Sequence, residues 1–131
     1  MSTDYHVLIE PFAERHYIKN FQKKYKVAWD ITLKALTQEF RSFDVLFDRN
    51  IAETIHDDHE VKICKTEFKI SGRNESRHGS GNRCIVAIRK NTAEVAVLLV
   101  YHKGDLGKSG NETVQWKQLV KDNYPKYKNL L

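Results

Sequence analysis

The sequence predicts an α+β fold: a small antiparallel sheet, an N-terminal helix pair packed on one face of it, and a short C-terminal helix, in the order β-α-α-β-β-β-α. Three observations predict it. Apolar residues between 18 and 43 recur at helical spacing, residues 61–102 turn to β-branched and aromatic runs, and all six glycines fall between 72 and 110, leaving the first half free of breakers. Helices followed by strands point to an antiparallel sheet with helices laid on it. A length of 131 residues suits a single domain spanning 1–131.

Residues 5–10 read as a first strand, rich in aromatic and aliphatic side chains. Pro11 fits the first turn of a helix, where its missing N–H costs nothing. Ile18, Phe21 and Tyr25 keep helical spacing. Trp29, Leu33, Leu36, Phe40 and Phe43 then follow at steps of 4, 3, 4 and 3, one apolar stripe on one helix face. The two series predict an antiparallel helix pair with a break near 24–27, or one long helix. In 44–58 the periodicity fades, and irregular structure is expected. Residues 61–71, 83–89 and 94–102 read as successive strands. The last is almost continuously apolar, as a central strand covered on both faces is. Residues 90–93 are of hairpin length, and 72–82, with three glycines, predicts a longer, mobile turn. Asn111 is a candidate N-cap for a helix carrying Trp116, Leu119 and Val120, and Pro125 marks its end.

Composition narrows the function. Forty per cent of residues are hydrophobic and 30% charged, enough to bury a core and too apolar for a disordered tail. The net charge is +5 and the pI about 9.2, which favours an acidic partner: nucleic acid, an anionic membrane or an acidic protein. Residues 65–90 hold seven Lys and Arg against two Glu, an excess equal to that of the whole chain. That concentration predicts a local anion-binding surface. Two cysteines do not make a disulfide scaffold, and buried reduced thiols are expected. The opening Met1-Ser2-Thr3-Asp4 shows no basic-then-apolar leader, and the longest apolar run, 95–101, falls far short of the roughly 20 residues a bilayer needs. A cytoplasmic protein with no membrane partner is the expectation.

The block Lys69-Ile70-Ser71-Gly72, Gly79-Ser80-Gly81-Asn82-Arg83-Cys84-Ile85-Val86 and Ala96-Val97-Leu98-Leu99-Val100-Tyr101-His102-Lys103-Gly104-Asp105 resembles the RelE/ParE toxin superfamily. There a basic strand leads into a Gly-rich turn, an arginine opens the next strand, and an apolar strand ends in a Tyr-x-Lys-x-Asp type segment. The layout corresponds over 5–123, the sequence pattern only over 65–105. The resemblance implies the toxin of a type II toxin–antitoxin pair, RelE/HigB-like, most of which are ribosome-associated endoribonucleases that cut mRNA with no metal or other cofactor. A ParE-like branch inhibits DNA gyrase without chemistry of its own. That branch and a catalytically weak homologue are the alternatives. The implied partners are a cognate antitoxin, mRNA and the ribosome.

Metal-free cleavage needs a base for the 2′-OH, cations for the phosphorane and an acid for the 5′-oxygen. Even spacing places Lys65 and Lys69 on one face of a strand, and Arg83 and Arg89 on one face of the next. If those strands pair, four cations converge. Arg83 is the candidate phosphate clamp, its planar fork suiting bidentate contact. Lys69, with Lys65, is the candidate for charge stabilisation or proton transfer. His102 is the candidate general acid or base, because several relatives use a histidine near this point, and Lys103 its electrostatic neighbour. The expected catalytic set is therefore Lys69, Arg83, His102 and Lys103, with Lys65, Arg73, Arg77 and Arg89 binding RNA and no metal ligand. A solvated strand edge is the plainer alternative for these cations. Trp116 is expected to pack in the core. His56-Asp57-Asp58-His59 has the look of metal ligands, but a polar loop is the better reading.

Overall fold

The computed structural model describes residues 3–106 and 111–131. Its centre is a five-stranded sheet in the order β1-β5-β4-β3-β2, built from β1 (His6–Ile9), β2 (Ala52–Asp57), β3 (Val61–Phe68), β4 (Asn82–Arg89) and β5 (Glu94–His102). β1 runs parallel to β5, and the other pairs are antiparallel. The α+β class and the β-α-α-β-β-β-α framework are therefore present, with one strand more than expected. The segment 44–58, expected to be irregular, contains α4 (Asp44–Asp48) and the edge strand β2. Its periodicity fades because an edge strand buries only part of one face, and a bulge at Ile55 shifts the alternation midway.

The first helical stretch begins with Pro11 in α1 (Pro11–Ala13), widens to a π segment at Glu14–Ile18, and continues as α2 (Lys19–Tyr25). It ends at Lys26, whose φ of 52° breaks the helix before α3 (Val27–Arg41), at the expected place. These helices bury Ile18, Trp29, Leu36, Phe40 and Phe43 against Cys64, Phe68, Cys84, Val86 and Val100 on one sheet face. The C-terminal helix α7 (Glu112–Asn123) covers the opposite face, where Trp116 and Val120 meet Ile63, Ile85, Leu98, Leu99 and Tyr101. Trp116 is fully buried, as expected of a core residue. With both faces covered, β5 has to be apolar throughout.

Local chemistry explains the termini. Asn111 caps α7, its side-chain oxygen accepting from the amides of Thr113 (2.8 Å) and Val114. β5 carries a bulge: Ile85 opposes Leu99 and Val86 opposes Val97, so Leu98 is left over. The Leu98 carbonyl accepts from the Tyr124 hydroxyl at 2.8 Å. α7 ends just before Pro125, as expected, and Pro125 opens a 3-10 segment, Pro125–Leu130.

The 72–82 turn is held in place rather than loose. Arg77 pairs with both carboxylate oxygens of Glu39 on α3 and donates to the Glu67 carbonyl. The Ser71 amide donates to Thr32 Oγ1 at 2.8 Å. Ser76 caps the single turn α5 (Arg77–Ser80), and the buried Ser80 hydroxyl bonds the Phe68 carbonyl. Gly81 needs its φ of 78°, and a Cβ there would lie 2.6 Å from His102 Nε2.

Candidate functional site

A polar cleft of about 430 Å³ opens where β3, β4 and α7 meet, below α5 and α6 (Lys103–Leu106). Lys65, Glu67, His78, Arg83, Lys103 and Glu112 line it, with 50–53 at the mouth. Strand alternation builds it. Cys64, Thr66 and Phe68 face the α3 side, so Lys65 and Glu67 face α7. Register pairs Glu67 with Arg83 on β4, and Arg83 with Tyr101 on β5.

Two linked ion-pair groups fill the cleft. The Glu67 carboxylate receives Arg83 Nη1 at 3.3 Å and His78 Nδ1 at 2.8 Å. Arg83, only 4% exposed, also donates to the carbonyls of Asn82 (3.0 Å) and His78 (3.3 Å). Beside this, Glu112 Oε2 accepts from the Tyr101 hydroxyl at 2.7 Å and meets Lys65 Nζ at 3.2 Å. Burial pushes the Glu112 carboxyl up, but the Tyr101 and Lys65 bonds and the nearby Arg83 charge outweigh it and hold the group below its ordinary value. Burial, then the bond to Glu112, pushes the Tyr101 phenol far above its usual value. Tyr101 is therefore a neutral donor.

The expected site residues do not all meet. Lys65, Arg83 and Lys103 share the cleft. Lys69 lies one residue beyond the end of β3, exposed, beside a second pocket under α3. The face parity with Lys65 fails there because the strand has stopped. His102 pairs with Asn82 on the register step next to Arg83 and Tyr101, so alternation turns it to the other face. Its Nδ1 accepts the Gly104 amide at 3.0 Å, and its Nε2 edge packs against Gly81. Arg89 shares a face with Arg83 but sits at the far end of β4, bound by Glu10, Glu94 and the Tyr127 hydroxyl. Arg77 is committed to Glu39, and Arg73 stacks 5.3 Å over the Tyr25 ring.

The basic segment 65–90 is thus largely neutralised by the fold. Of its seven cations, Lys65, Arg77, Arg83, Arg89 and Lys90 each meet a carboxylate, most of them supplied from outside the segment. Glu67, Glu112, Tyr101 and His78 lie outside the catalytic and RNA-binding set expected from the sequence. Glu67 was within reach of sequence reasoning: it is two residues from Lys65, on the same strand face, and counting it only as a negative charge hid its position.

The remaining candidates resolve into structure. His56 ends in β2 with its Nε2 2.6 Å from Asp58, whose other oxygen accepts the amides of Glu60 and Val61. These bonds hold the Asp58 carboxyl well below the usual carboxylate range and shape the β2–β3 turn. Among the described residues no group of three or more His, Cys, Asp or Glu side chains is placed to hold a metal ion. Cys64 and Cys84 are free and buried on neighbouring strands, and burial pushes the Cys64 thiol up to about 12. No described helix is long and apolar enough to cross a membrane.

No protein-family model matches the chain, and no curated protein does. Among solved structures it is similar to a chain of the archaeal RelE–RelB complex from Pyrococcus horikoshii OT3. The TM-score is 0.51 at 13% identity, covering 78% of this chain and 98% of that one. The fold is therefore RelE-like.

Proposed function

We propose that this chain is the toxin of a type II toxin–antitoxin pair and a cytoplasmic, metal-independent endoribonuclease that cuts mRNA on the ribosome. The observation that carries the reading is the Glu67 carboxylate, set between an imidazole and a buried guanidinium in an open polar cleft of a RelE-like fold. The similar chain comes from a RelE–RelB complex, which supports a protein antitoxin as partner here.

In this reading Glu67 accepts the proton of the 2′-OH, the 2′-oxygen bonds to phosphorus, and the bond from phosphorus to the 5′-oxygen breaks. The products are a 2′,3′-cyclic phosphate and a 5′-OH. Arg83, with Lys65 and Lys103, balances the phosphorane charge. His78, whose imidazole lines the cleft beside Glu67, protonates the leaving oxygen. The contact between His78 and Glu67 opens to admit the substrate. Lys69 and His102 lie outside this machinery.

A second reading, a ParE-like inhibitor of gyrase, draws on the pairing of Lys65, Arg83 and His78 with carboxylates before any ligand arrives. Inducing the gene in a growing bacterium separates the two. The nuclease yields new 5′-OH ends within translated frames, and Glu67→Gln lowers their yield about 10²–10⁴-fold. Intact mRNA accompanied by a DNA-damage response refutes the nuclease reading and supports the second.

A further inference from the structure

Among the described residues, the fold leaves a row of positive charge without carboxylate partners away from the cleft. Five of the twelve residues 15–26 are Lys or Arg, and none is Asp or Glu. Arg15, Lys19 and Lys23 recur at steps of 4 along the first helical stretch, all exposed, and Lys26 is exposed at the break that ends it. None of the four has a carboxylate partner among the described residues, whereas the cations of 65–90 mostly do. From Arg15 to Lys23 the row runs on the order of 12 Å. At its end Lys24 and Arg73 both stand 5.3 Å from the Tyr25 ring, which adds two more cations held in place by an aromatic face.

We propose that this ridge binds the phosphodiester backbone of RNA as a docking surface separate from the cleft, a proposal that rests on the nuclease reading only for the choice of RNA as the polyanion. The chemistry favours it over other acidic partners. A membrane-surface helix has to offer its apolar face to lipid, and here that face is buried against the sheet. A protein partner draws its affinity from anchors seated in pockets, and the ridge is a convex row of flexible ammonium and guanidinium groups. Such a row contacts backbone phosphates without reading sequence.

The test uses the full chain and a 20-nucleotide 2′-O-methyl RNA, which cannot undergo 2′-OH attack, both single-stranded and as a duplex. Affinity is measured by fluorescence anisotropy across a range of KCl concentrations. Each phosphate contact contributes roughly 0.7–0.9 to the slope of log K against log salt. Arg15→Gln/Lys19→Gln/Lys23→Gln is expected to lower that slope by about 2–3 and to weaken binding on the order of 10²-fold at 0.1 M salt. The matched change at Lys34, Lys126 and Lys128, all exposed, is expected to leave the slope nearly unchanged. The single-strand and duplex arms show which form of backbone the ridge prefers. Equal losses from both triple variants, or an unchanged slope in the ridge variant, overturn the proposal. A ridge-dependent slope in a protein that cuts no mRNA in cells leaves the docking surface standing and removes the nuclease.

Discussion

Arg89 separates the charge seen in the sequence from the charge the structure makes available. Sequence pattern places it with the RNA-binding cations. In the fold its guanidinium donates to Glu94 at 3.0 Å, Glu10 at 2.9 Å and the Tyr127 hydroxyl at 3.1 Å. It therefore ties β4 to the start of β5, to the residue before the first helix and to the C-terminal 3-10 segment. Burial alone would lower its pKa, but bonds to Tyr127, Glu10 and Glu94 outweigh that and raise it. Arg89→Met removes all three bonds and leaves two carboxylates facing each other. A hydrogen bond to a charged group contributes about 1.5–3 kcal/mol when buried. Arg89 and both carboxylates keep roughly a fifth to a quarter of their exposure, so about 1 kcal/mol for each ionic bond and less than that for the phenol are reasonable. The expected loss is about 2–3 kcal/mol, a fall in Tm of roughly 6–12 °C for a chain of this size. Urea unfolding followed by tryptophan fluorescence reads it directly, because Trp29 and Trp116 are buried on opposite sheet faces. The midpoint is expected to drop with the m-value unchanged. The folded variant is expected to keep full mRNA cleavage and RNA affinity. An unchanged midpoint, or cleavage lost while the fold persists, refutes the assignment of Arg89 to structure.

Two further outcomes follow from the same geometry. Glu112 is held below its ordinary carboxyl value, so its contribution to stability is complete above its unfolded pKa and disappears as pH falls through the folded one. Glu112→Gln is accordingly expected to flatten the loss of stability below about pH 4.5, in acid titrations of the urea midpoint; an identical acid limb in both proteins contradicts the pairing with Tyr101 and Lys65. The thiols of Cys64 and Cys84 are buried and shifted upward, so iodoacetamide at pH 8 is expected to label neither in the native protein and both in urea. Rapid native labelling indicates that this face of the sheet opens.

Much of the fold was legible because it depends on periodicity. The steps from Trp29 to Phe40 describe a helix face, with Phe43 already past the end of α3, the run 95–101 describes a strand with both faces covered, and Asn111 is an N-cap by its own chemistry. β2 was hidden because its bulge breaks the alternation that announces a strand. The 72–82 turn looked mobile because glycine content signals backbone freedom, whereas its order comes from partners distant in sequence: Glu39 for Arg77 and Thr32 for Ser71.

The candidate site was legible as residue types but not as a constellation. Alternation along β4 puts Arg83 on the same sheet face as Arg89, since that rule is local. The same rule failed for Lys69 because it needs to know where β3 ends, and for His102 because facing depends on cross-strand register, which pairs it with Asn82 rather than Arg83. Charge counting failed for a more general reason. A segment's net charge survives folding only where no opposite charge from elsewhere is brought against it, and the contacts of Glu39, Glu112, Glu10, Glu94 and Asp57 are all long-range or cross-strand. Among the described residues, the cations of 15–26 meet no such carboxylate. Their charge is the part of the sequence that passes unchanged into the folded surface, and that makes it the stronger predictor of where a polyanion lands.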